Sequence, residues 1–352
     1  MYIFNDYPKK KSSRYYDLNR QKIKKFFNND KNILSIYEYG QTKAPGISDL
    51  DIIIVFKNNN KKKDLNKNKY DFRGIDNQLF DLIKYGNVIK MDYATFKHIQ
   101  YFDSFNLNLL LGETLEFIKP NKNELEILSQ ISINDWIPER LLRLQNIIKQ
   151  KNINISNTLC VINSLCYSLK LIKKFIKNDY KINSIIKKTN ILRSNWYNIK
   201  NAEEKLVKLI YSSISISQKS YYDFGRSFKS FNKIGFVKNK FKNEIKYEII
   251  KNNFIIFTDD KYKILNIDIN SKNNILYIPY IFYFHLLELS NQKNFISNKI
   301  NKKITPKIDI KIILNNDYKE LLEKKINLAD NNRRFLKSIN IKKGLIRYGY
   351  HV

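Results

Sequence analysis

Asp49 and Asp51 are the residues of this chain whose type and spacing point most directly to chemistry. Two positions apart on an extended chain, their carboxylates leave the same face, while Leu50 points the other way into a core. Oxygen ligands on one face suit Mg²⁺ or Mn²⁺, because Mg²⁺ takes one or two protein carboxylates and completes its shell with water and substrate phosphates. Two such ions roughly 3.5–4 Å apart would stabilise both the attacking and the leaving oxygen of an in-line phosphoryl displacement. Gly40 and Gly46 precede the pair, and a glycine-bearing turn lets backbone N–H groups come close to phosphate oxygens. By itself an Asp-x-Asp triplet commonly marks only a solvated strand entrance. This one is the only such triplet in the chain, follows a glycine turn and leads into an apolar run, Ile52 to Phe56.

The elements that must position the pair are legible around it. Asn32 to Tyr39 is rich in apolar and aromatic residues and predicts a strand; Gly40, Pro45 and Gly46 break it; Ile52 to Phe56 is a continuous apolar run of the kind that fills a buried central strand. Gly40-Gln41, a seven-residue spacer, Asp49-Leu50-Asp51 and an apolar strand together resemble the signature of the DNA polymerase β-like nucleotidyltransferase superfamily. The resemblance covers about Ile33 to Tyr93. In that family Gly-Gly or Gly-Ser precedes the acidic pair, so Gln41 is a departure. The resemblance implies that Asp49 and Asp51 hold two Mg²⁺ ions, that Gly40, Gln41 and Ser48 position a nucleoside triphosphate, and that a later strand adds a third carboxylate. Asp92 is the candidate for it, as metal ligand or general base, with Asp81 and Asp103 as competitors.

Other elements follow the same reasoning. A capped helix is expected from Ser13 to Phe27, a short helix at Ile75 to Tyr85, and a strand at Asn87 to Tyr93. His98 to Gly112 is expected to be a helix stopping at the glycine. After Pro120 the texture turns helical: a helix opening at Asp135 and Pro138, one from Ser156 to about Asn178, and one from Asn201 to Ser217. From Glu244, aromatic and β-branched runs separated by Asn and Lys predict a small antiparallel meander, with a helix from Asp317 to about Lys337. The expected class is therefore mixed α+β: a nucleotidyltransferase-type sheet with flanking helices (1–119), a helical bundle (120–235), and a small antiparallel β region (236–352).

Composition narrows the function classes. The net charge of +31 invites a nucleic-acid reading, but only ten of 64 basic residues are arginine, fewer than bidentate phosphate recognition would favour. Lys57 to Lys69 is expected to be a solvated loop. Cys160 and Cys166 are expected to be buried thiols, and His98, His285 and His351 stand apart from one another. The cluster Tyr221-Tyr222-Asp223-Phe224-Gly225-Arg226 is expected to pack a core and not to stack a base. No apolar run is expected to reach membrane-spanning length, and the N-terminus lacks a signal-peptide core, so a cytoplasmic protein is expected. The functional expectation is transfer of a nucleoside monophosphate from a nucleoside triphosphate to an acceptor hydroxyl, on an RNA 3′ end or on a small molecule or sugar. The alternatives are a degenerate nucleotidyltransferase fold that binds without turnover, and a basic nucleic-acid-binding protein.

Overall fold

Ser12 adopts an extended conformation and its side chain accepts the Tyr15 N–H, so the first long helix starts where a capping residue stands. The computed structural model describes residues 1–57, 69–72, 76–83, 88–103, 105–176, 180–227, 236–238, 248–250, 253–255, 275–276, 309–311 and 316–341. In chain order its elements begin with β1 (Ile3–Asn5), α1 (Ser13–Phe27), β2 (Ile33–Tyr39), β3 (Asp51–Phe56), α2 (Asn77–Leu82), β4 (Ile89–Asp92), α3 (Tyr93–Phe96) and β5 (Leu107–Gly112). They continue with α4 (Lys122–Gln150), β6 (Asn152–Asn154), α5 (Ile155–Ile172), α6 (Tyr180–Ser194) and α7 (Ala202–Ser227). The short strands β7 (Phe236–Lys238), β8 (Glu248–Ile250), β9 (Asn253–Ile255), β10 (Ile275–Leu276) and β11 (Asp309–Lys311) precede α8 (Asn316–Ser338). The protein is thus mixed α+β, with a mixed sheet and flanking helices.

Two compact units form, one from Lys9–Leu128 with Glu320–Arg347, the other from Met1–Pro8, Ser129–Lys319 and Tyr348–Val352. This division differs from three consecutive segments because α8 and the residues just after it supply core to the first unit: Leu336 of the helix and Ile339 and Ile341 beyond it share a cluster with Ile52, Ile54 and Phe56 of β3. An amphipathic pattern announces that a helix has an apolar face and is silent about which sheet receives it.

The first unit is built on a four-stranded sheet in the order β4-β3-β2-β5. β3 is antiparallel to β2 and parallel to β4, and β2 is antiparallel to β5. Ile52 to Phe56 are all fully buried, as a strand covered on both faces should be. One face packs against Tyr16, Ile23 and Phe27 of α1. The other carries Tyr37, stacked on Phe96 of α3 with centroids 5.0 Å apart. At the edge of β4 the buried side chain of Asn332 donates to the Lys90 carbonyl at 3.0 Å and accepts the Asp92 N–H at 3.1 Å. An amide on a helix thereby takes the place of a neighbouring strand.

Two expectations are corrected here. Leu107–Gly112 is an edge strand and not the end of a helix. Its apolar run has no helical period, and Gly112, at φ +89°, lies so close to β2 that a Cβ would come 2.2 Å from the Leu34 carbonyl oxygen. α4 begins at Lys122, upstream of the expected start at Asp135 and Pro138, because Asn121 and Glu124 form a reciprocal capping box.

In the second unit β1 pairs in parallel with β6, and α5, α6 and α7 pack on one another. α5 is long and apolar enough to meet a membrane-spanning threshold, so the expectation that no run reaches that length is corrected. Its Leu159, Ile162, Leu165 and Leu169 are buried among protein. Tyr221 and Phe224 are also buried, with Phe224 edge-on to Phe175, in agreement with core packing. β8-β9 is an antiparallel pair within the expected meander, whereas the antiparallel sheet β10-β7-β11 centres on β7, upstream of Glu244, and its neighbours are not consecutive, so it departs from a meander. Most of the expected meander, like Asn58 to Asn68, His285 and His351, lies outside the described residues.

Candidate functional site

The turn between β2 and β3 is shaped by two glycines in the left-handed region, Gly40 at φ +83° and Gly46 at φ +86°. Gly40 donates its N–H to the Asn106 carbonyl at 3.1 Å, which ties the turn to the segment before β5. The space where a Cβ would stand on Gly40 is open to 4 Å. Beyond it, Ile47 and Ser48 donate their N–H groups to the Ala44 carbonyl, and the Ser48 hydroxyl accepts the Ala44 N–H at 3.2 Å. The Gln41 and Thr42 amide N–H groups, in contrast, donate to no protein acceptor among the described residues.

Helix α1 holds this turn from below. The Tyr16 hydroxyl donates to the Ser48 carbonyl at 2.6 Å and accepts the Gly46 N–H at 2.9 Å. Arg20 grips the buried Glu38 carboxylate with Nε at 2.6 Å and Nη2 at 2.8 Å, and Nη2 also reaches Thr42 Oγ1 at 3.0 Å. The hydrogen bonds to Glu38 raise the Arg20 pKa above its ordinary value, so this cation stays charged. On the far side, Leu50 donates its N–H to the Leu82 carbonyl at the end of α2.

The turn delivers the acidic pair. Asp49 and Asp51 are both partly exposed, and Leu50 between them is fully buried. Asp51 opens β3 directly opposite Tyr39, whose ring meets Phe105 edge-on at 5.1 Å. Gln41 and Lys43, in the turn before them, are exposed. Two partly exposed carboxylates two residues apart suit an ion that takes the rest of its shell from water and phosphate, and they do not make a closed protein cage. Ser48 is buried and already engaged inside the turn, so its hydroxyl shapes the loop and does not face outward toward a triphosphate.

Asp92 does not join the pair. β4 runs parallel to β3 in a register that places Asp92 beside Phe56. Phe56 is five residues on from Asp51, which at 3.3 Å per residue separates the two by about 16 Å. The Asp92 carboxylate instead caps α3, accepting the Thr95 N–H at 2.8 Å. A third acid would have to stand at the start of β4, and Asp92 stands at its end. Asp81 lies in α2, next to the Leu82 carbonyl that contacts Leu50. Asp103 lies between a 3₁₀ turn and β5. Among the described residues no group of three His, Cys, Asp or Glu side chains is placed to hold a metal ion.

Other candidates settle as packing. Cys160 and Cys166 form no disulfide; Cys166 is buried as expected, its thiol 3.4 Å from Thr189 Oγ1 and its pKa pushed up by burial, whereas Cys160, also expected to be buried, is only partly so. His98 stands beside Tyr101 with ring centroids 5.8 Å apart. Composition and spacing did not announce Tyr16, Arg20, Glu38, Thr42 or Asn106 as part of the site. The one available signal was that Tyr16 and Arg20 are four apart on a capped helix and so share a face. Comparison of the chain with protein-family models, curated proteins and solved structures finds no match.

Proposed function

We propose that this chain is a nucleotidyltransferase of the polymerase β-like type, transferring a nucleoside monophosphate from a nucleoside triphosphate to an acceptor hydroxyl and releasing pyrophosphate. One observation carries the reading: Asp51 opens a buried strand with the partly exposed Asp49 two residues before it, immediately after a pinned glycine turn whose Gln41 and Thr42 N–H groups have no protein acceptor among the described residues. Asp49 and Asp51 are the residues that would hold Mg²⁺ or Mn²⁺, and the bound ion supplies charge neutralisation on the phosphates. The turn's N–H groups and the exposed Gln41 amide bind and orient phosphate oxygens, in a place where the open space beside Gly40 admits close approach. Positioning and fixed dipoles do most of the work in such a site. Asp92 has no part in the chemistry. The acceptor is a hydroxyl of RNA or of a small molecule or sugar, and the net charge of +31 supports binding of a polyanion. Because the described residues offer no third carboxylate, a protein that binds nucleotide without turnover is the second reading.

The test is incubation of the full chain with each labelled ribonucleoside triphosphate and Mg²⁺, with and without RNA and a panel of small hydroxyl acceptors, beside an Asp49→Ala/Asp51→Ala variant. Label transferred by the wild type alone supports transfer and names the acceptor class. Metal-dependent binding of nucleotide with no transfer supports the second reading, and equal behaviour of the two proteins sinks both.

A further inference from the structure

Helix α1 reaches both arms of the turn. Tyr16 is 1% exposed, and its single hydroxyl joins the Gly46 N–H to the Ser48 carbonyl. Four residues on, Arg20 joins Glu38 of β2 to the Thr42 hydroxyl. The helix bearing both side chains is sunk in the sheet's core through Ile23 and Phe27, each at most 1% exposed. The turn therefore takes its shape from a fixed body.

The Ser48 carbonyl belongs to the planar peptide that joins Ser48 to Asp49. Holding that carbonyl fixes the plane, and the plane sets the direction in which the Asp49 side chain departs. Asp51 is held independently, by its pairing opposite Tyr39 in the sheet. The spacing of the two carboxylates then depends on where Tyr16 places the Ser48–Asp49 peptide. Groups hydrogen-bonded to a metal ligand itself typically change metal affinity about 10–100-fold when removed, and Tyr16, acting one peptide away, should act at the lower end of that range.

We infer that α1 positions the acidic pair, with Tyr16 and Arg20 as positioning residues that set how Asp49 stands relative to Asp51. The inference rests on reading that pair as ligands of a divalent ion. Neither residue touches the ion or the substrate. Tyr16→Phe keeps the buried ring and removes the hydroxyl. Thr42→Val keeps the shape of a partly exposed side chain and removes the acceptor of Arg20.

The experiment titrates the full chain with Mn²⁺ alone, reading bound ion by electron paramagnetic resonance. It compares wild type, Tyr16→Phe, Thr42→Val and Asp49→Asn/Asp51→Asn, with the thermal midpoint recorded for each. The expected result is Mn²⁺ binding that the aspartate variant lacks and that Tyr16→Phe weakens by roughly 10-fold, with Thr42→Val weakened less. A hydroxyl that merely fills a structural need would lower the midpoint and leave Mn²⁺ affinity alone. Tyr16→Phe binding within about twofold of wild type overturns the inference and leaves the metal reading standing. Should Tyr16→Phe fail to fold, Thr42→Val decides: weakened binding supports the inference and unchanged binding overturns it. Wild type binding no better than the aspartate variant removes the metal reading, and the inference with it.

Discussion

Replacing Asn332 with alanine should destabilise the sheet-bearing unit by about 3 kcal/mol, since each buried backbone group left without a partner costs about 1–3 kcal/mol. Two such groups are created. Asn332 is fully buried and its amide satisfies the Lys90 carbonyl at 3.0 Å and the Asp92 N–H at 3.1 Å, both on the outer edge of β4. In a domain of this size that loss lowers the thermal midpoint by about 6–12 °C. Asn332→Asp separates the two bonds. It keeps an acceptor for Asp92 but sets a carboxylate against the Lys90 carbonyl, so it should be no better than alanine at neutral pH and should recover in part in acid, where a protonated acid can donate. Urea unfolding followed by circular dichroism measures all three proteins, with the exposed neighbour Asn331→Ala as a control expected to stay within about 0.5 kcal/mol. A loss at Asn332→Ala no larger than that control would refute the view that this side chain completes the sheet edge.

Three further outcomes follow from the same geometry. Asp92→Ala removes the cap of α3 and should cost about 1 kcal/mol, while nucleotide transfer and Mn²⁺ binding stay near wild type; loss of transfer with the fold intact would restore Asp92 to the site. Gly112→Ala places a Cβ 2.2 Å from the Leu34 carbonyl oxygen at φ +89°, and should cost about 3 kcal/mol or more by denaturation; Gly40→Ala, with open space at the same point, should lose only the backbone strain of about 1–2 kcal/mol. Burial first, then the charges of Lys324 and Lys97, lowers the His98 pKa below its ordinary 6.5. The unfolded chain therefore takes up a proton before the folded one does. Stability should fall as pH drops below 6.5, level off beneath the depressed folded value, and show no His98 contribution above 6.5. The slope should disappear in His98→Gln, and an unchanged pH profile there would contradict it.

What was legible in the sequence was local. Ser12 caps α1 through a bond that spans three residues, and Ile52 to Phe56 is buried because five consecutive apolar side chains leave a strand no wet face. The glycine turn and its acidic pair were legible for the same reason. Leu107 to Leu111 was not, since a short apolar run suits a strand or a buried helix equally, and the decision came from Gly112 lying against β2. The misplacement of Asp92 has one cause: its distance from Asp51 depends on β4 being parallel to β3, which no residue near either strand reports. Tyr16 shows the limit on the side of the site, because its ring was readable as core while its hydroxyl's partners, 30 and 32 residues away, were not.

The amide that closes the edge of β4 arrives late. Asn332 follows Lys90 by 242 residues, and at 5–20 residues per second roughly 10–50 s of synthesis separate the strand from the side chain that finishes it. Throughout that interval the nascent sheet shows a bare edge to every neighbouring chain, and a truncated product would show it permanently. Synthesis to Asn332 is therefore the step after which the β4 edge of this sheet stops being a template for aggregation.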